Sequence, residues 1–82
     1  MGYFRSSYAW KKKRAQIVEK YHGRCAICEA EAHEVHHIIP IKVLDDLKLD
    51  SNNLILLCAH HHRLAHLGVI SQSALIKLTK EH

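Results

Sequence analysis

Apolar and polar positions alternate along the chain in a way that marks out a short series of elements. Trp10, Ile17, Val18 and Tyr21 recur at helical spacing and share one face, so residues 7–22 are expected to form a helix. Ser7 can cap its start and Gly23 can end it. Residues 24–28, RCAIC, have the composition of a tight knuckle. Residues 33–39, HEVHHII, are β-prone and run into Pro40, which predicts a short strand leading to a turn. A loop over 41–53 follows, with a helical turn expected around Val43–Leu47 and a stop at Ser51-Asn52-Asn53. The unbroken apolar run Leu54–Leu57 predicts the second strand. Residues 59–67 are expected to be helical and to stop at Gly68. Ser71 can cap a last helix with Ala74, Leu75 and Leu78 facing inward.

The resulting order is helix, knuckle, strand, long loop, strand, helix, helix, an α+β arrangement. The 82 residues suffice for one small domain, and neither a repeat nor a low-complexity linker divides them. The expected organisation is therefore a single unit over 1–82. It has an N-terminal helix in 1–23, a metal-stapled core in 24–67 and a C-terminal helix in 68–82. The hydrophobic core of a domain this small is marginal, and such domains often add a disulfide or a metal. Three cysteines cannot all pair, which points to a reducing compartment and to metal binding. Met1–Trp10 lacks the apolar segment of a secretory signal, and no apolar run approaches membrane-spanning length. A cytoplasmic protein without membrane partners is expected. The net charge of +4, with histidine neutral, favours a polyanionic partner. Lys11, Lys12, Lys13 and Arg14 form a basic run near the start of the first helix. It has two readings, a solvated helix face or a set of phosphate contacts, and Arg63 carries the same two.

Cys25-x-x-Cys28 and Cys58-x-x-His61 are two half-sites. A two-residue gap lets both side chains of each half converge on one ion, and a closed shell of thiolates and imidazole is what structural Zn²⁺ prefers. Such an ion contributes about 10–16 kcal/mol to the folding of small peptides. That matches or exceeds the whole stability of an ordinary domain, about 5–15 kcal/mol. The plainer alternative is that the cysteines are small buried apolar residues, all three at ligand spacing by accident. His61 is the weakest of the four ligands, and His60 is the next candidate.

The chain has nine histidines, most of them clustered at 33–37 and 60–66. His62 and His66 stand one helical turn apart on one face. His61 points about 100° away from them. His36 and His37 are adjacent on a predicted strand and so point to opposite faces. One of the pair can join His62 and His66 around a second cation while the other stays outside the coordination sphere. A site of three neutral imidazoles leaves positions open and suits Zn²⁺, Ni²⁺, Co²⁺ or Mn²⁺ better than Mg²⁺. His22, His33 and His82 read as ordinary surface or core histidines, and Asp45, Asp46 and Asp50 as solvated carboxylates.

Taken in order, Cys25-x-x-Cys28, Val35-His36-His37-Ile38-Ile39-Pro40, Asn53-Leu54, Leu57-Cys58 and His61-His62-x-x-x-His66 resemble the HNH endonuclease family. Tyr8-Ala9-Trp10 with Arg14 resembles the lead-in of small phage-type members. The resemblance implies a ββα-metal core with a zinc knuckle, flanked by the two terminal helices. It implies that His36, His62 and His66 ligate the catalytic metal, that His37 is the general base and that Asn53 braces the loop and orients His37. A plainer role for Asn53, capping or turning the chain, stands beside this one. Two positions depart from the common pattern: His36, where many members have Asp, and His61, where zinc-ribbon members commonly have Cys.

The implied activity is hydrolysis of DNA phosphodiester bonds, by nicking or double-strand cutting, to 5′-phosphate and 3′-hydroxyl ends. The implied cofactors are a structural Zn²⁺ and a catalytic divalent cation (Zn²⁺, Mn²⁺, Ni²⁺, Co²⁺ or Mg²⁺). The expected partner is DNA, bound with little sequence preference, and not a small molecule. Likeness to the phage proteins extends this to terminase or portal proteins in DNA packaging. The competing reading is a zinc-stabilised DNA-binding module without chemistry. A pure binder has no use for a fourth imidazole beside a three-histidine site.

Overall fold

Ser7 opens the first helix, α1 (Tyr8–Lys20), where its side chain accepts the backbone N–H of Trp10 at 3.1 Å. The structure is a computed structural model and describes residues 7–40 and 48–82; the helical turn expected around Val43–Leu47, and Asp45 and Asp46 with it, lies outside these residues. α1 ends one turn before Gly23. Gly23 N–H returns to Val18 O at 2.9 Å, and both His22 (φ 57°) and Gly23 (φ 70°) are left-handed. Trp10, Ile17 and Tyr21 are buried and Val18 is half-buried, as the periodicity predicts.

The knuckle follows. Arg24 pairs with Glu31, Cys25 N–H donates to Ala30 O at 2.7 Å, and Glu29 turns the chain at φ 62°. Ala26 N–H donates to Leu56 O at 2.9 Å, which docks the knuckle against the second strand. β1 (Glu34–His37) is shorter than the expected 33–39, because the backbone of Ile38 and Ile39 turns to bond Asn53 instead of a continuing strand. It pairs antiparallel with β2 (Leu54–Leu57), His36 opposite Ile55 and His37 opposite Leu54.

A two-stranded sheet is not stable alone in water. Here α1 and α3 (Gln72–Glu81) both pack on β2, so all four of its side chains are buried and the run is apolar throughout. A 3₁₀ turn, Ser51–Asn53, leads into β2 and rests against α3. α2 (Ala59–His66) starts from Cys58, and the chain leaves it through Leu67 and left-handed Gly68 (φ 77°). The inner face of α3 lies about one residue further round than expected. Leu75 and Thr79 are buried and Leu78 is half-buried, while Ala74 faces solvent. The Thr79 hydroxyl can occupy that face because it donates to Ile76 O at 2.7 Å within its own helix. None of the described helices is long and apolar enough to cross a membrane.

Candidate metal centres and active site

The knuckle and the start of α2 bring four donor atoms together. Those of Cys25, Cys28, Cys58 and His61 all lie within 4.8 Å of one another. Cys28 Sγ is 3.8 Å from Cys58 Sγ, and His61 Nδ1 is 3.2 Å from Cys58 Sγ and 3.8 Å from Cys25 Sγ. A tetrahedral shell with Zn–S near 2.3 Å places its sulfurs about 3.8 Å apart, so the spacing fits zinc. His61 supplies the fourth donor; His60 is exposed, its ring 5.0 Å from that of His61. Burial pushes the Cys25 thiol up, but N–H donors from Cys28, Cys58 and Ile27 outweigh it and hold the group below its usual value. For Cys28 the Ala30 N–H pulls downward, while desolvation and the neighbouring thiols of Cys25 and Cys58 push further upward, and the net shift is up. Thiolates gathered this closely repel one another unless a cation lies between them.

The second cluster joins β1 to α2. The donor nitrogens of His36, His62 and His66 lie within 4.8 Å of one another. His36 is buried, and its ring centroid is 5.1 Å from those of both His62 and His66. Burial first, then the neighbouring imidazoles of His62, His66 and His37, lower its pKa from the usual 6.5 to about 4. It is therefore a neutral donor at neutral pH. His62 Nε2 and His66 Nε2 face each other at 3.1 Å. Two nitrogen lone pairs at that distance call for a proton or a cation between them. A tetrahedral shell with Zn–N near 2.0–2.1 Å would separate them by about 3.3 Å.

Glu34 belongs to this cluster, and the sequence reading passed over it. Its carboxylate accepts the Nδ1–H of His62, which fixes the tautomer that turns Nε2 toward His66. Strand alternation carried the signal, since Glu34 and His36 share one face of β1.

His37 points to the other face of β1, toward α1, and stacks on Trp10 with ring centroids 5.1 Å apart. Its Nε2 lies 3.0 Å from Lys48 O. A carbonyl only accepts, so Nε2 carries the proton and Nδ1 the lone pair. Asn53 is buried and grips Ile39 twice: its Oδ1 accepts the Ile39 N–H at 2.8 Å, and its Nδ2 donates to Ile39 O at 3.1 Å. It thereby fixes the chain two residues beyond His37.

His36, His37, His62 and His66 all border one cleft of about 850 Å³, whose far wall includes Ile70 and Gln72. Gln72 closes that wall by donating to Ile38 O at 3.1 Å.

Of the basic candidates, Lys11, Lys12, Arg14 and Arg63 are exposed and Lys13 is half-buried. Lys13 donates to Ser51 Oγ at 3.2 Å and Arg14 to His33 O, so these two tie α1 to the rest of the molecule. His33 is exposed beside Glu31.

A profile of the HNH endonuclease family matches residues 21–67, from the end of α1 through α2. The chain belongs to the HNH endonuclease family. No curated protein and no solved structure shows significant similarity to it. Family membership agrees with the ββα-metal arrangement seen here: an antiparallel strand pair, a following helix, and Cys/His clusters that can bind metal. It assigns the chain, in general terms, to nuclease or DNA-binding work.

Proposed function

We propose that this HNH protein is a metal-dependent DNA endonuclease that hydrolyses phosphodiester bonds, with Cys25, Cys28, Cys58 and His61 holding a structural zinc and His36, His62 and His66 holding the catalytic cation. The observation that carries this reading is the shared cleft. Three imidazoles converge there on one point, and His37, whose tautomer is set by a hydrogen bond, is among the residues that line the same space.

Phosphodiester hydrolysis needs a proton removed from the attacking water and negative charge stabilised on the phosphate and the departing 3′ oxygen. A bound divalent cation supplies the charge stabilisation. His37 takes the water proton on Nδ1 while Lys48 O holds Nε2–H. The water oxygen bonds to phosphorus as the bond to the 3′ oxygen breaks; the departing oxygen takes a proton from solvent water, leaving 5′-phosphate and 3′-hydroxyl ends, and His37 returns its proton to solvent. Asn53 keeps the backbone beyond His37 in place through Ile39. Glu34 keeps His62 oriented. Lys11, Lys12, Lys13, Arg14 and Arg63 contact the DNA backbone, all but half-buried Lys13 being exposed, which gives salt-dependent binding with little base recognition. A phage terminase or portal protein would supply the sequence selection that the chain itself lacks.

Supercoiled plasmid incubated with the protein and Mn²⁺, Ni²⁺, Co²⁺, Zn²⁺ or Mg²⁺ tests the reading, and nicked or linear product is expected. DNA binding without cleavage under any metal would instead assign the protein to the non-catalytic binding modules. His37→Ala should retain both metals and lose roughly 10²–10⁴-fold in rate.

A further inference from the structure

Trp10 has the spacing of a core residue of α1, yet its ring covers the imidazole of His37. The centroids are 5.1 Å apart and the planes 25° from parallel. Both side chains are nearly enclosed, Trp10 at 5% exposure and His37 at 8%. Lys48 O fixes one nitrogen of that imidazole, at 3.0 Å. A flat surface against the face of a ring restricts its rotation and tilt, whatever bonds its edge makes.

The helix that presents Trp10 is itself tied on both sides of the site. Ser7 accepts the Trp10 N–H at 3.1 Å, and Arg14 donates to His33 O just before β1. Lys13 donates to Ser51 Oγ at 3.2 Å, in the turn that carries Asn53. The Arg14 and Lys13 tethers join α1 to segments that also locate His37, while the Ser7 bond caps the helix itself. Trp10 nonetheless lies outside residues 21–67, the part that the family profile covers.

We propose that Trp10 is a positioning residue for His37: its indole face holds the imidazole plane in the orientation that accepts the water proton, so the N-terminal helix is part of the active site and not merely a flank of it. The inference rests on the assignment of His37 as the base.

The test measures kcat and KM for cleavage of plasmid DNA by fully metal-loaded Trp10→Met and Trp10→Phe, each also in a His37→Ala background. Methionine is bulky and apolar but not flat. Misplacement of a reacting group by about 1 Å costs up to roughly 10²-fold in rate. Trp10→Met should lose kcat on that scale with KM and metal content unchanged, Trp10→Phe should recover most of it, and neither change should cost anything further beside His37→Ala. An unaltered kcat in Trp10→Met, or an equal loss in both backgrounds, overturns the proposal. Wild-type cleavage by His37→Ala would remove the base assignment and this inference with it. An inactive His37→Ala beside a fully active Trp10→Met removes the inference alone. If Trp10→Met does not fold, Trp10→Phe and Trp10→Tyr decide. Values of kcat well above that of His37→Ala support the proposal; values as low as His37→Ala, in folded and metal-loaded protein, overturn it.

Discussion

The cysteine cluster and the histidine cluster share one helix, yet they differ in donor type and in closure. Cys58 and His61 sit at the start of α2 and close a four-donor shell with the knuckle, at sulfur spacings that match tetrahedral zinc. His62 and His66 use the same helix to reach His36 on β1, and three donors border a cleft. Closely packed thiolates repel one another and need a cation between them to be stable. Neutral imidazoles do not, and burial keeps His36 neutral. The closed, charged cluster thus suits the structural zinc proposed above, and the open, neutral one the proposed chemistry.

α2 makes the contrast sharper. It has eight residues, none of them fully buried. Isolated helices below about 12–15 residues are marginal in water, so cations bound at the two clusters would do much of the anchoring.

The largest expected effect separates the clusters. Cys25→Ser should abolish the cooperative thermal transition, because a structural zinc contributes about 10–16 kcal/mol in small domains. It should also weaken metal binding at His62 and His66, whose helix then loses its anchor. His66→Ala should keep the transition and one metal per chain while losing the other. Thermal melts and metal analysis of both variants decide the matter, and equal losses of melting temperature would mean that the two clusters are not distinct devices.

Acid should act through His36. In the folded chain its pKa is about 4, against 6.5 when unperturbed. Between those values the unfolded chain binds the proton and the folded chain does not, so falling pH favours unfolding. With only the knuckle metal bound, the protein should lose up to about 3 kcal/mol through this group as pH drops across that window, and no more from it below. Urea melts of the protein and of His36→Asn across the same range check this; parallel pH profiles would show that His36 carries no such linkage.

Glu34→Gln should lower affinity at the histidine cluster by roughly 10–100-fold, the usual consequence of losing a carboxylate behind a ligating imidazole, and leave the cysteine cluster as it is. Metal titration followed by calorimetry reads both sites at once. A change in zinc retention at the cysteines would contradict the separation.

The smallest effect is expected away from both clusters. The Tyr21 hydroxyl is buried without a hydrogen-bond partner among the described residues, and burial raises its pKa to about 12. Tyr21→Phe removes only that group, so stability should hold or rise by about 1 kcal/mol. A marked fall in a denaturant melt would reveal a hydrogen bond made by that hydroxyl.

Much of this was legible in the chain alone, wherever a short spacing and a regular period suffice. Two-residue gaps marked both halves of the cysteine cluster, the four-residue step put His62 and His66 on one face, and strand alternation sent His36 and His37 opposite ways. The apolar run Leu54–Leu57 announced a strand buried on both faces. These features follow from the geometry of one element at a time. Folding decided what no single element contains: that α1 lays Trp10 over His37, that Glu34 reaches across to His62, that His61 rather than His60 meets the cysteines, and that Thr79 instead of Ala74 faces inward on α3. Such contacts join segments far apart in the chain, and their distances and angles are set by how the helices pack on the strand pair. Sequence therefore named the residues that gather into the two clusters, and packing determined how they are held.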